Sequence, residues 1–160
     1  MNASDALLPE RPTTRVLLFD PVGRILLMKG RLPNAPPGAG AWFPVGGGVE
    51  PGETHLEAAA REIREETGVT AFELGPIVWT REGVLNIPQP TLFKEVYVVA
   101  RCAGGDPDRG GWQEAEREFI DDIRWWTQPD LAATAERVFP PGLAHRLPPL
   151  IAGRYPPEPL

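Results

Sequence analysis

Residues 47–69 read GGVEPGETHLEAAAREIREETGV, and this stretch predicts a helix that follows a glycine-rich turn. Thr54 and Glu57 have the spacing of a capping box, and Gly68 stands where a left-handed residue commonly ends a helix. We therefore expect a helix from about Thr54 to Thr67. Five of its residues recur at helical spacing and should pack on a core as one face: Leu56, Ala59, Ala60, Ile63 and Thr67.

Three acidic residues crowd the flank of this face: Glu62, Glu65 and Glu66. Like charges three or four residues apart destabilise a helix by roughly a few tenths of a kcal/mol per pair. The small side chain of Ala58 should leave open space in front of them. In one interpretation the flank is solvated and paired with Arg61 and Arg64. In the other, the carboxylates bind Mg²⁺ or Mn²⁺, which prefer hard oxygen ligands.

The turn and the helix together favour the second interpretation. The turn alone is neither a Walker A loop nor a G-x-G-x-x-G fingerprint. From Gly47 to Val69, however, the chain fills every fixed position of the pattern G-x5-E-x7-R-E-U-x-E-E-x-G-U, where U is aliphatic. This stretch resembles the Nudix box without departure. The resemblance implies an α/β fold, namely an α/β/α sandwich around a mixed β-sheet. It also implies hydrolysis of a pyrophosphate bond by a metal-activated water.

The same resemblance implies a role for each matching residue. Metal ligation falls to the carboxylates of the helix and to one backbone carbonyl: Glu62, Glu65, Glu66 and Gly46. Glu65 can instead orient the water, and Glu53 and Arg61 would hold the other groups in place. Mg²⁺ is the expected ion, with Mn²⁺ as an alternative. The general base is a box glutamate in some relatives and a distant loop residue in others, so the sequence leaves it open.

Acidic residues in a distant loop supply candidates for a further catalytic carboxylate: Glu114, Glu116 and Glu118. They precede the apolar run Ile123–Trp126, where related proteins often carry an additional catalytic or metal-binding glutamate. We favour Glu116 or Glu118, without choosing between them. A solvated acidic turn is the alternative.

Three residues near the two ends of a proline-rich loop are candidates for substrate binding. Lys29 and Arg31 stand where a strand enters the loop and can meet phosphates, or they can be solvated cations. Phe43 follows the loop and can contact the substrate or the core. The segment Gly30–Gly40 holds three prolines and three glycines, so we expect a loop that borders the substrate cleft.

The rest of the chain predicts the scaffold of one domain. Two apolar runs flank Asp20–Gly23 and should form a hairpin. Other predicted strands are Ala71–Leu74, Ile77–Arg81, Phe93–Arg101 and Ile123–Trp126. A short helix is expected from Pro129, and another, from Gly142, should be interrupted at Pro148–Pro149. At 160 residues the chain suits a single domain over residues 13–153, with an N-terminal extension at 1–12 and an extended tail at 154–160.

Global properties narrow the class of protein. The net charge of −6 argues against a stable nucleic-acid partner. The one cysteine cannot form an intramolecular disulfide. Neither a leader peptide nor an apolar run of membrane-spanning length is seen, so we expect a cytoplasmic enzyme without a membrane contact. The expected partner is a small nucleotide, and a homodimer is compatible with the sequence.

Several functions stay open at this point. The leading hypothesis is hydrolysis of a nucleoside diphosphate linked to a further group, foremost a nucleoside triphosphate, unmodified or modified. ADP-ribose is the second substrate class, because Pro88 and Pro90 lie near the position where ADP-ribose enzymes carry a proline. An isomerase acting on isopentenyl diphosphate would need a cysteine in the cleft, and Cys102 follows a strand instead. A non-catalytic nucleotide-binding domain usually shows a degraded box.

Overall fold

A six-stranded sheet forms the centre of the computed structural model, which describes residues 8–31, 35–36, 39–86, 89–112 and 118–160. The strands are β1 (Glu10–Phe19), β2 (Ile25–Gly30), β3 (Ala41–Gly48), β4 (Phe72–Asn86), β5 (Pro90–Cys102) and β6 (Ile120–Trp126). Their order across the sheet is β4-β5-β1-β3-β2-β6. β1 and β5 are parallel and the other neighbours antiparallel, so the predicted mixed sheet is confirmed.

Helices cover both faces of this sheet, as the α/β/α prediction requires. Helix α1 (His55–Thr67) packs through Ala59 and Ile63 on one face. Helices α2 (Gln128–Ala133) and α3 (Leu143–Ile151) pack through Leu131, Leu143, Leu147 and Leu150 on the other. Within the described part of the chain, none of the helices is long and apolar enough to cross a membrane.

The predicted hairpin joins β1 to β2 through a tight turn. One carboxylate oxygen of Asp20 accepts hydrogen bonds from the backbone N–H groups of Val22 and Arg24, at 3.1 and 2.8 Å. Gly23 takes the left-handed conformation that the turn needs, with φ of 84°. The turn therefore brings β2 back against the sheet that carries the site.

Both ends of the domain differ from their predicted boundaries. β1 begins at Glu10, which pairs with Leu92 of β5, so residues 10–12 belong to the sheet and not to an extension. At the other end, the backbone N–H of Leu160 donates to Val78, and that of Thr80 donates to Leu160. The tail thus adds hydrogen bonds along β4, which merges two predicted strands and continues to Asn86.

Helix α3 runs through Pro148–Pro149, where an interruption was expected. A proline lacks the N–H that would bond to the carbonyl four residues earlier. Here the carbonyl of Ala144 accepts a hydrogen bond from the side-chain amide of Gln128, at 3.0 Å. Leu147 and Leu150, on either side of the prolines, are buried in the core. The prediction was wrong because a side chain of α2 replaces one of the two lost hydrogen bonds and the buried leucines anchor both turns.

Candidate active site

The capping residues predicted from the sequence fix both ends of helix α1. The Thr54 hydroxyl accepts from the backbone N–H of Glu57, and the Glu57 carboxylate accepts from that of Thr54, both at 3.1 Å. Gly68 ends the helix in the left-handed conformation, with φ of 74°. These caps hold the helix in one register, so its acidic side chains point in fixed directions.

The acidic face of α1 is turned into the protein. Only 8% of Glu62 and 4% of Glu66 is exposed, whereas Leu56 is 43% exposed. The predicted packing face was therefore wrong in its extent, and Ala58 is fully buried instead of leaving open space. Small alanine side chains let the helix approach the sheet, and Gly47 leaves room for the carboxylate. A Cβ on Gly47 would lie 2.6 Å from Oε1 of Glu62.

Arg61 connects these glutamates to the sheet. Its Nε and Nη2 donate to the two carboxylate oxygens of Glu53, at 2.8 and 2.9 Å. Nη1 donates to Glu62 at 2.9 Å and to Glu65 at 3.4 Å. Nη2 also donates to the carbonyl of Gly48 at 2.9 Å. A single guanidinium thus offsets part of the negative charge and orients three carboxylates.

The paired charges shift the pKa values of both partners. Hydrogen bonds from Arg61, and then from the backbone N–H of Glu50, lower the pKa of Glu53 from 4.5 to about 2. The hydrogen bond to Glu53 in turn raises the pKa of Arg61. Glu53 therefore stays ionised, and this bidentate pair stays closed, at any physiological pH.

We expect the contribution of Glu53 to stability to disappear in acid. Because its pKa is lowered on folding, the contribution is full above the ordinary value of 4.5 and is lost as the pH falls towards about 2. The wild type should therefore have a higher melting temperature than Glu53→Gln at pH 7, and the two melting temperatures should converge near pH 2. Glu73→Gln, on an exposed part of β4, is the control. A difference that is unchanged across this range would contradict the prediction.

The glutamates line a cleft of about 460 Å³ between α1 and the end of β3. Its walls include Arg11, Gly46, Gly47, Glu62, Glu65 and Glu66. Carboxylate and carbonyl oxygens of this kind fit Mg²⁺ or Mn²⁺. Among the residues that the structure describes, no three acidic, histidine or cysteine side chains form a ready-made metal cage. This suits Mg²⁺, which usually takes one or two carboxylates and completes its shell with water and substrate phosphate.

Lys29 and Arg31 lie away from this cleft. Lys29 pairs with Trp42 across β2 and β3, and Gly47 is five residues further along β3. At about 3.3 Å per residue the two ends are roughly 17 Å apart. Lys29 forms an ion pair with Glu136 at 2.7 Å. The sequence-based assignment of both cations to phosphate binding therefore finds no support in the geometry.

The other predicted residues are divided between the two ends of the sheet. The carbonyl of Glu118 accepts from Arg31 at 3.1 Å, so this residue lies with the cations at the start of β3. Phe43 is half-buried against the core on the α1 face and does not line the glutamate cleft. Glu114 and Glu116 lie outside the described residues, as does most of the proline-rich loop between Gly30 and Gly40.

Two arginines of β1 lie at the site, and neither is predicted there by a sequence motif. Arg11 lines the cleft, and its Nε lies 3.6 Å from where a Cβ on Gly48 would stand. Nη1 of Arg15 donates to the carbonyl of Gly46 at 3.3 Å. Arg11 and Arg15 are four residues apart on β1, so both side chains project from the same face of the strand. This even spacing, just before the apolar run of β1, is the signal in the sequence that could have identified them.

The loop after β5 packs against the C-terminal end of α1. The indole N–H of Trp112 donates to the carbonyl of Glu66 at 2.6 Å. A Cβ on Gly111 would lie 2.7 Å from the carbonyl oxygen of Glu65.

The free cysteine of the chain lies elsewhere. Cys102 ends β5 beside Thr70 and Glu73, and burial raises the pKa of its thiol. Cys102 does not line the glutamate cleft, in agreement with its predicted place at the end of a strand.

An α/β/α sandwich with buried glutamates beside a glycine-rich strand end points to one class of protein, and comparisons agree. The NUDIX domain model matches residues 9–147, and the chain belongs to the Nudix family. It is a Nudix pyrophosphohydrolase. RNA pyrophosphohydrolase of Novosphingobium aromaticivorans is 34% identical over 142 residues, covering 81% of this chain and 84% of that protein.

Two further relatives show the range of the family around this chain. The oxidized purine nucleoside triphosphate hydrolase of Danio rerio is 34% identical over 122 residues, covering 71% of this chain and 75% of that protein. The structure of a NUDIX hydrolase from Nitrosomonas europaea superposes with a TM-score of 0.61 at 23% identity, over 92% of this chain and 93% of that one. The structural likeness supports the fold alone.

Proposed function

We propose that the enzyme hydrolyses a pyrophosphate bond of a nucleoside triphosphate, unmodified or modified, with Mg²⁺ as its metal. The observation that carries this proposal is the convergence of Glu62, Glu65 and Glu66 on one cleft that Gly46 also lines. Clustered carboxylate and carbonyl oxygens suit Mg²⁺, which takes one or two carboxylates and completes its shell with water and substrate phosphate.

The proposed roles follow the positions of the oxygens. Glu62, Glu66 and the carbonyl of Gly46 would hold the ion, and Glu65, which is less buried, would hold or orient the attacking water. Glu53 keeps Arg61 in place. When bound, the metal ion lowers the pKa of the water and offsets charge on the leaving phosphate.

Positive charge on β1 supports a substrate with several phosphates. Arg11 lines the cleft, and Arg15 is hydrogen-bonded to the carbonyl that the ion would share. Guanidinium groups bind phosphate oxygens in pairs, so both residues suit the part of the phosphate chain that the metal leaves uncovered.

A second candidate is the 5′-triphosphate end of RNA, because the relative from Novosphingobium aromaticivorans is named an RNA pyrophosphohydrolase. It needs the same chemistry at the same phosphates. ADP-ribose stays the third candidate. Pro90 is the first residue of β5, and Pro88 lies outside the described part of the chain. A further carboxylate from Glu116, a cytoplasmic location and a homodimer stay predictions of the sequence.

A substrate panel tests the proposal. Nucleoside triphosphates, 5′-triphosphate RNA, ADP-ribose and NADH are incubated with enzyme and Mg²⁺, and the products are resolved by chromatography. We expect nucleoside triphosphates to give the highest kcat/KM, with a nucleoside monophosphate and pyrophosphate or a diphosphate and phosphate as products. A kcat/KM at least about tenfold higher for RNA or ADP-ribose, equal to about 1.4 kcal/mol, would overturn the choice of substrate.

A further inference from the structure

A second cavity, of about 130 Å³, lies on the face of the sheet that carries α2 and α3. It opens between the β4–β5 ribbon and the segment before α3. Its walls include the rings of Phe93 and Phe139 together with the charged side chains of Arg81 and Glu95. Two aromatic rings and a few polar groups are the usual surroundings of a flat heteroaromatic ligand.

The cavity and the glutamate cleft lie close together along the direction that runs from strand to strand. Strand pairing places Gly48, Thr13, Glu95 and Arg81 in one row over four adjacent strands. At about 4.8 Å between strands, the row spans roughly 14 Å. Arg11 lines the cleft, and its guanidinium carbon lies 5.9 Å from the centre of the Phe93 ring in the cavity wall. One extended molecule can therefore reach both places.

The polar groups of the cavity are a donor without a partner and a fixed acceptor. Nη1 of Arg81 is buried and has no hydrogen-bond partner among the residues described. The guanidinium carbon lies 4.3 Å from the centre of the Phe139 ring, close enough for a cation–π attraction that helps to hold the group in place. Glu95 accepts a hydrogen bond from the Tyr97 hydroxyl at 2.9 Å and lies 3.9 Å from Arg15. An unpaired buried donor is unfavourable, so a ligand acceptor there would gain affinity.

We propose that this cavity binds the base of the nucleotide and that Arg81 selects a 6-oxopurine over adenine; the inference rests on the proposed function. A guanidinium only donates hydrogen bonds, and O6 and N7 of guanine or hypoxanthine are adjacent acceptors. Adenine places its amino group where O6 would be, so two donors would meet. Uracil offers one acceptor on that edge instead of two. Glu95 is the matching acceptor for ring N–H groups of the oxopurine.

The test compares GTP, ITP, ATP and UTP as substrates of the wild type and of Arg81→Leu. We expect the wild type to show kcat/KM at least about tenfold higher for GTP and ITP than for ATP and UTP, within the range that one bidentate base contact supplies. In Arg81→Leu the four values should converge through KM, while kcat for ATP changes little, because the residue binds the base and not the reacting phosphate.

Two further variants keep the test independent of folding. Arg146→Leu also removes an arginine that rests on an aromatic ring, 3.9 Å from Trp79, but Arg146 lines neither cavity, so base preference should be unchanged. Arg81→Lys keeps the charge without the planar fork and should lose most of the preference for GTP. Preference that survives in Arg81→Leu, or that is lost equally in Arg146→Leu, would overturn the proposal.

Binding of GMP and AMP, measured by calorimetry, separates this proposal from the proposed function. We expect the wild type to bind GMP at least about tenfold more tightly than AMP, and Arg81→Leu to bind both equally weakly. This readout needs no turnover. Equal affinities in the wild type would overturn the role of Arg81, whatever the substrate panel shows. GMP selectivity without triphosphate hydrolysis would instead reject the proposed reaction and retain the base site.

Discussion

Replacing Glu66 by glutamine should lower kcat by at least about a hundredfold, equal to about 2.7 kcal/mol of lost transition-state stabilisation. The substitution keeps the shape of a side chain that is only 4% exposed but removes the charge that we assign to metal binding. Glu62→Gln should act in the same way. Because Mg²⁺ bound to the folded state raises its stability, both variants should also lose the rise in melting temperature that Mg²⁺ gives the wild type.

Glu57→Gln is the matched control for this prediction. It removes one carboxylate from the same helix, and glutamine preserves the capping box, so activity and the Mg²⁺ effect should stay at the wild-type level. Circular dichroism and cooperative unfolding without metal check that Glu66→Gln still folds. Wild-type kcat in both Glu62→Gln and Glu66→Gln, or full turnover in excess EDTA, would show that these carboxylates do not hold a required ion.

The parts of the fold that sequence predicted well depend on short-range contacts. The bounds of α1 follow from Thr54 and Glu57 at its start and from Gly68 at its end, and each of these residues acts within one turn of that end. The β1–β2 hairpin likewise depends on the side chain of Asp20 and on Gly23. In such cases, local propensity and tertiary structure agree, so a pattern in the sequence is sufficient.

Burial of the glutamates was not predicted, because a hydrophobic pattern assigns charged residues to solvent. Helical spacing predicts that Leu56 lies in the core, but it is exposed, while Glu62 faces Gly47 of β3. What decides the orientation is a glycine on another strand, which sequence periodicity in the helix does not report. A functional site is where such a departure from the pattern is expected.

The grouping of the arginines also depends on long-range register. Arg11, Arg15 and Arg81 come from β1 and from the distant β4, and β5 lies between those two strands. The parallel pairing of β1 with β5 determines which residues share a row, and no turn connects these two strands directly. The charge of Lys29 and its place at the end of a strand predict phosphate binding, but the register of β2 against β3 puts it at the end of the sheet away from the glutamates.

Gly46→Ala should lower the free energy of unfolding by at least about 4 kcal/mol, which is exceptional for one methyl group. Gly46 has φ of 149°, and a Cβ there would lie 2.0 Å from the carbonyl oxygen of Thr14 and 2.8 Å from the Cα of Arg15. Both are backbone atoms of β1, so no side-chain rotation relieves the clash. Urea denaturation of purified protein measures the loss.

Gly52→Ala separates the clash at Gly46 from backbone strain alone. Gly52 also has a positive φ, of 81°, but nothing lies within 4 Å of its Cβ position. Its replacement should lower stability by only about 1–2 kcal/mol. Equal losses in the two variants would mean that close approach of β3 to β1 is unimportant. A severe loss in Gly46→Ala alone would show that β3 can approach β1 this closely only with a glycine at position 46. That approach brings the carbonyl of Gly46 within hydrogen-bond distance of Arg15 and keeps Gly46 in the wall of the glutamate cleft.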